Sequence, residues 1–134
     1  MGVSAVPLTY HPGPGAIVIC DFSTGFQPPE MVKVRPVVVI SPRRRTTQLV
    51  TVVPLSSVAP APVEPWHYPL PPGAYPPARG VIWAKCDMVA TVGLARLDRV
   101  KTQIQGRRVY QAFQLGNAEL AAILAGVRAA LGLT

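Results

Sequence analysis

The stretch Val32-Lys33-Val34-Arg35-Pro36-Val37-Val38-Val39-Ile40-Ser41 constrains the fold more than any other part of the chain. Val37 to Ile40 is an unbroken run of β-branched residues, which favours extended backbone. A run without polar alternation predicts a strand covered on both faces, not one lying on a surface. Pro36 has no amide proton for a ladder, so it is expected at the strand's first position. Arg35, just before it, is biased away from helix. A guanidinium is therefore expected at the mouth of a rigid buried strand, where its direction is fixed. Taken alone, such an arginine serves equally as the partner of a carboxylate at a barrel rim or as an anion ligand.

At 134 residues, 49% hydrophobic and 14% charged, the chain is long enough for one domain around one core and too apolar for a disordered segment. Its apolar runs fall far short of a bilayer span of about 20 residues. No charged-then-apolar leader opens it. The expectation is a soluble, cytoplasmic protein without membrane contact. Thirteen Lys and Arg against six Asp and Glu leave a formal charge of +7. Such an excess favours polyanions, nucleic acid first, and is equally met by an acidic partner chain or by a need for solubility. Cys20 and Cys86 stand in apolar contexts, too few for a zinc site or a disulfide framework, and read as reduced core residues. His11 and His67 lie in Pro-rich stretches without ligand spacing, so neither a metal nor another cofactor is expected.

Taken in order, residues 1–14 read as an irregular lead-in and Gly15 to Phe22 as a first strand. Ser23 to Glu30, with Gly25 and Pro28-Pro29, is a loop that delivers Glu30 five residues before Arg35. After the organising strand, Arg43-Arg44-Arg45 form a polar connection, either a phosphate-contacting patch or a solvated turn. Leu49 to Leu55 is a third strand, pairing antiparallel with the organising one, with Pro54 stopping the ladder and Ser56 and Ser57 just beyond. That pairing places Arg35 and Ser56 on one rim, where converging donors make an oxyanion or phosphate site.

Val58 to Arg79 reads as a long, stiff, Pro-rich loop without helical or strand period, of the kind that tends to carry function. Its aromatics, Trp66 among them, either stack unpaired bases or pin the loop to the core. Gly80 to Cys86 is a fourth strand ended by Asp87. Lys85 and Asp87, two apart on an extended chain, are expected to face the same way, as an ion pair or as an acid/base or phosphate-clamping pair. Met88 to Leu97 reads as a strand end and a short helical turn. Val100 to Gln105 and Arg108 to Leu115 form a hairpin about Gly106. Asn117 is the expected N-cap of a terminal helix with Glu119 in its first turn. Leu120, Ile123, Leu124, Val127 and Leu131 form its apolar stripe, either core or dimer face, and Gly132 stops it.

Val34-Arg35-Pro36-Val37-Val38-Val39-Ile40-Ser41, then Val52-Val53-Pro54-Leu55-Ser56-Ser57, then Ala84-Lys85-Cys86-Asp87 strongly resemble the PemK/MazF toxin family, in the family's own order and over most of the chain. The resemblance implies a mainly β chain with a C-terminal helix, an SH3-like small barrel, as a single domain that is usually a homodimer. It also implies a metal-independent endoribonuclease that cuts single-stranded mRNA and is held inactive by a cognate antitoxin. The family's arginine of the Arg-Pro motif falls on Arg35, its Thr or Ser after the Val-Pro-like strand on Ser56, and its acidic residue on Glu30. The Arg-Cys-Asp motif of the PemK/Kid branch falls on Lys85-Cys86-Asp87, with lysine in the arginine's place. That branch's catalytic histidine would fall on Pro29, and the loop Gly25 to Glu30 is longer than the usual form.

Cleavage without metal needs a base for the attacking 2′-hydroxyl, charge on the phosphate, and a proton for the leaving 5′-oxygen. Asp87 is the expected base, with Glu30 the second choice; Arg35 is the phosphate clamp, Ser56 a further donor, and Lys85 the charge or the proton source. The expected RNA surface comprises Arg43, Arg44, Arg45, Ser57 and Trp66. The alternative is a non-catalytic barrel that binds RNA or a protein target, as gyrase-poisoning toxins of this fold do. Those rely on a Trp-Gly-Ile-like C-terminus, whereas this sequence ends Leu131-Gly132-Leu133-Thr134.

Overall fold

The computed structural model describes residues 8–44 and 46–133. Three strands carry most of the fold: β1 (Ala16–Asp21), β2 (Val34–Val39) and β3 (Leu49–Ser56), paired antiparallel with β2 in the middle. The β-branched run behaves as expected. Val37, Val38 and Val39 are completely buried, and their alternation divides them between two apolar clusters. Val38 joins Val53, Leu55 and Ile123 on one face; Val37 and Val39 join Cys20, Val50 and Val52 on the other. Each such side chain contributes about 1.5–3 kcal/mol relative to exposure.

The remaining elements wrap this triplet. Short strands β4 (His67–Pro69) and β5 (Trp83–Lys85) extend the sheet beyond the C-terminal end of β3, and β6 (Ala90–Gly93) pairs with its N-terminal part. β7 (Leu97–Asp98) and β10 (Phe113–Gln114) pair with the two ends of β1. β8 (Val100–Ile104) and β9 (Arg107–Gln111) form the expected hairpin about Gln105-Gly106, as a separate two-stranded sheet. Strands that change partner along their length bend the sheet into an SH3-like small barrel whose ladder does not close.

Several boundaries differ from expectation, each for a hydrogen-bonding reason. Pro36 is the third residue of β2, not its first. The Ile40 amide donates to the Thr51 carbonyl, and amide directions alternate along a strand. The missing amide of Pro36 would therefore face β3, and the β2–β3 ladder ends one residue before it, at Val37–Pro54. Pro54 does not stop β3, which runs on to Ser56. By the same alternation its missing amide faces away from β2, toward a gap between β5 and β6. That gap arises because Leu55 pairs with Ala84 and Val52 with Ala90. Three steps along β3 are thus matched by six along the neighbouring chain. The surplus residues, Cys86–Met88, form one 3-10 turn.

The helix α1 (Asn117–Leu131) is capped by Gly116, not Asn117, with the Glu119 carboxylate accepting the Gly116 amide at 3.1 Å. Gly132 ends it in the left-handed conformation, which glycine adopts without a Cβ penalty. Its buried stripe is narrower than expected: Ile123, Gly126 and Val127 are buried and Leu120 packs against the core, but Leu124 and Leu131 are exposed.

Candidate active site

The β2–β3 register, continued two residues past Val37–Pro54, sets Arg35 opposite Ser56. Arg35 alternates with Val37 and Val39, and Ser56 with Pro54 and Val52, so both side chains belong to the same face. Pro36 ends the ladder, so this pairing is an extension of the register and no backbone bond joins the two residues. The Ser56 hydroxyl oxygen accepts the Val58 amide at 3.1 Å, leaving its proton free to donate. Arg35 is half-buried, and its buried Nε finds no hydrogen-bond partner among the described residues. An unpartnered buried donor costs about 1–3 kcal/mol, more when charged, and an anionic oxygen would relieve that cost.

The two candidate carboxylates share a pocket. A cavity of about 410 Å³ is lined by Glu30 and Asp87 with Phe26, Pro29, Met31, Met88, Val89 and Ala90. Phe26, Met31 and Ala90, which line it, pack against the cluster containing Val37 and Val39. Arg35, Ser56 and Lys85 do not line it. The loop bearing Glu30 is held from below. Phe26 packs edge-on against Phe22 at 5.2 Å between centroids, and the Arg96 guanidinium lies 4.8 Å over the Phe26 ring. Arg96 is itself fixed by donating to the Asp21 carbonyl at 2.9 Å. Glu30 closes its own turn, one carboxylate oxygen accepting the Gln27 amide at 2.7 Å, so its second oxygen is the free one.

Asp87 is exposed and sits in the 3-10 turn and not on an extended strand, so strand alternation does not set its direction relative to Lys85. Lys85 instead follows Trp83, which pairs with Ser56, and so shares the Ser56 face. It also pairs across β4–β5 with His67. The reading of 58–79 as free of strand missed this: Trp66-His67-Tyr68 is a short run of bulky residues between prolines, and His67–Pro69 forms β4. The imidazole is thereby placed with Nε2 4.0 Å from an Asp87 oxygen, while its Nδ1 accepts the Glu64 amide at 2.9 Å.

The expected RNA-contacting residues divide. Ser57 is exposed beside Ser56. Trp66 packs against the core under α1 and its carbonyl accepts the Cys86 amide at 3.3 Å, so it pins the loop. Arg43 and Arg44 are exposed in the β2–β3 connection, at the opposite end of the hairpin from Arg35 and Ser56. At about 3.3 Å per residue, the part of β2 from Arg35 to Val39 alone separates them from Arg35 by roughly 13 Å. Arg45 lies outside the described residues. Both cysteines are buried and free. Burial pushes the Cys20 and Cys86 thiols up to about 12, so neither offers a thiolate nucleophile. Among the described residues no group of three or more His, Cys, Asp or Glu converges as a metal set would, and no helix is long and apolar enough to cross a membrane.

Comparison with known proteins gives this arrangement a family. MazF (Form-I) from Deinococcus radiodurans is similar over 92% of this chain and 99% of its own, with 24% identity and a TM-score of 0.68. An endoribonuclease in complex with its cognate antitoxin from Mycobacterial species is similar over 92% of this chain and 97% of its own, with 21% identity and a TM-score of 0.63. For the Mycobacterium tuberculosis toxin MazF-mt6 the figures are 88%, 97%, 18% and 0.57. A search of curated proteins found no match. The structural likenesses carry the fold. The sequence match, to the PemK-like, MazF-like toxin of type II toxin-antitoxin systems, spans residues 13–124, and with it the chain belongs to that family.

Proposed function

We propose that this toxin is a metal-independent endoribonuclease cutting single-stranded RNA, with its chemistry at the open end of the β2–β3 ladder. The observation that carries this reading is the half-buried Arg35, whose buried Nε has no hydrogen-bond partner among the described residues, on a strand register that runs on toward Ser56, together with the pocket that Glu30 and Asp87 share. The guanidinium fork and the hydroxyl suit two or three oxygens of one phosphate, and stabilise it most when attack adds negative charge. The Asp87 carboxylate takes the proton of the neighbouring 2′-hydroxyl as that oxygen bonds to phosphorus; Glu30 is the second candidate for this role. The phosphorus–O5′ bond breaks and the leaving oxygen takes a proton from Lys85. The products are a 2′,3′-cyclic phosphate and a 5′-hydroxyl end.

The net charge of +7 suits both an RNA substrate and an acidic antitoxin. The similar mycobacterial endoribonuclease is described in complex with its cognate antitoxin, and a cognate antitoxin is the partner proposed here, with a homodimer as the working unit in the cytoplasm. Incubation of purified protein with a long single-stranded RNA in EDTA, followed by mapping of the cut ends, tests the reading. Discrete cuts with 5′-hydroxyl ends are expected. Binding without cuts would overturn it in favour of a non-catalytic binder.

A further inference from the structure

The family's histidine position is occupied by Pro29, yet an imidazole reaches the candidate site from another strand. His67 is the first residue of β4, paired with Lys85 on β5. Its side chain is 9% exposed while that of Asp87 is 44% exposed, so the ring lies behind the carboxylate. A backbone amide can only donate. The Glu64 amide pointing at Nδ1 over 2.9 Å therefore requires an unprotonated Nδ1, which leaves the ring proton on Nε2. Nε2 is the atom facing Asp87 Oδ1, at 4.0 Å. That separation exceeds a hydrogen bond, but catalytic contacts are often loose before substrate binds and tighten in the complex.

We infer that His67 is a positioning residue for Asp87: a tautomer locked by the Glu64 amide presents Nε2–H to one carboxylate oxygen and turns the other toward the substrate. The inference rests on the nuclease reading and deepens it. Three features of the fold support it. The ring is 9% exposed, lies edge-on to Trp66 at 6.0 Å between centroids and is bound at Nδ1 by the Glu64 amide, while the β4–β5 ladder fixes the backbone that carries it. Asp87 sits in a turn with no ladder of its own, so its carboxylate needs an outside contact to fix its direction. And the two elements are tied together nearby, the Cys86 amide donating to the Trp66 carbonyl at 3.3 Å.

Two substitutions separate positioning from mere structure. His67→Asn keeps an acceptor within reach of the Glu64 amide and loses the donor at the Nε2 position. His67→Gln places an amide N–H near the Nε2 position. In single-turnover cleavage of a single-stranded RNA in EDTA, His67→Asn is expected to lose about tenfold or more in the chemical step with KM and thermal stability little changed, and His67→Gln to cleave several-fold faster than His67→Asn. His67→Asn cleaving as the wild type does would overturn the inference, as would a ring found by ¹⁵N NMR to carry its proton on Nδ1. Failure of the wild type itself to cut would instead sink the nuclease reading. The tautomer, and the expected shift of the Nε2 resonance in Asp87→Asn, would still decide the contact in that event.

Discussion

Gly126 on α1 stands so close to Cys86 that a Cβ added there would lie 2.7 Å from the Cys86 sulfur and 3.3 Å from the Trp66 carbonyl oxygen. The helix therefore seats directly on the turn that carries Asp87. Neither neighbour can yield cheaply, since one is a short side chain and the other is backbone.

Gly126→Ala is expected to destabilise the protein by about 1–3 kcal/mol, the usual cost of overpacking, despite alanine's better helix propensity. Urea denaturation measures this. Because the clash falls on the turn, RNA cleavage by the folded fraction should drop as well; a variant with full stability and activity would contradict the packing.

Arg35 predicts opposite signs for stability and activity. Arg35→Met retains the aliphatic stem and removes an unpartnered buried donor, so stability should hold or rise. Cleavage should fall on the order of 10²–10³-fold, as when one donor to a developing charge is lost. Urea midpoints and single-turnover rates on the same preparation check both halves.

Ser56 accepts the Val58 amide and, in the proposed mechanism, also donates to phosphate, and the two tasks are separable. Ser56→Ala should lose about 0.5–1.5 kcal/mol with the first and slow cleavage with the second. Ser56→Thr, keeping the hydroxyl, should cleave faster than the alanine variant. Equal rates for the two would remove Ser56 from the mechanism.

The buried thiols set an alkaline limit. Burial raises Cys20 from 9.0 to about 12, Arg96 pulling it back and Asp21 pushing it further; burial and then Asp87 do the same for Cys86. A folded pKa above the unfolded value means the folded state favours the neutral thiol. The stability this contributes is complete below about pH 8.5 and is lost as pH rises toward 12. Urea midpoints should therefore fall above pH 9, less steeply in a Cys20→Ala/Cys86→Ala variant. Iodoacetamide should leave both thiols unlabelled in the native protein at pH 8.

What could be read from the residues alone follows the range of the interactions involved. The β-branched run Val37 to Ile40, the Gly106 hairpin and the Gly132 helix stop were legible because each is decided by a few adjacent residues. β4 was not. A three-residue strand between prolines has no period of its own and exists because β5 offers a register. Alternation failed at Asp87 because it presumes a continuous ladder, and the mismatch between β5 and β6 becomes visible only once both are aligned on β3. Arg43 and Arg44 are read in the sequence as an RNA-contacting patch by charge alone, whereas an antiparallel hairpin sends its connection to the end remote from its own termini. The same hairpin geometry, extended past Val37–Pro54, is what directs Arg35 and Ser56 toward one rim.

The turn Cys86–Met88 is spliced into the partner of β3 without belonging to any ladder, and the strands before and after it are anchored separately. Its middle residue can therefore vary while the threading of the sheet stays as it is. What keeps the turn in place is then its packing under the helix, where Gly126 lies against Cys86.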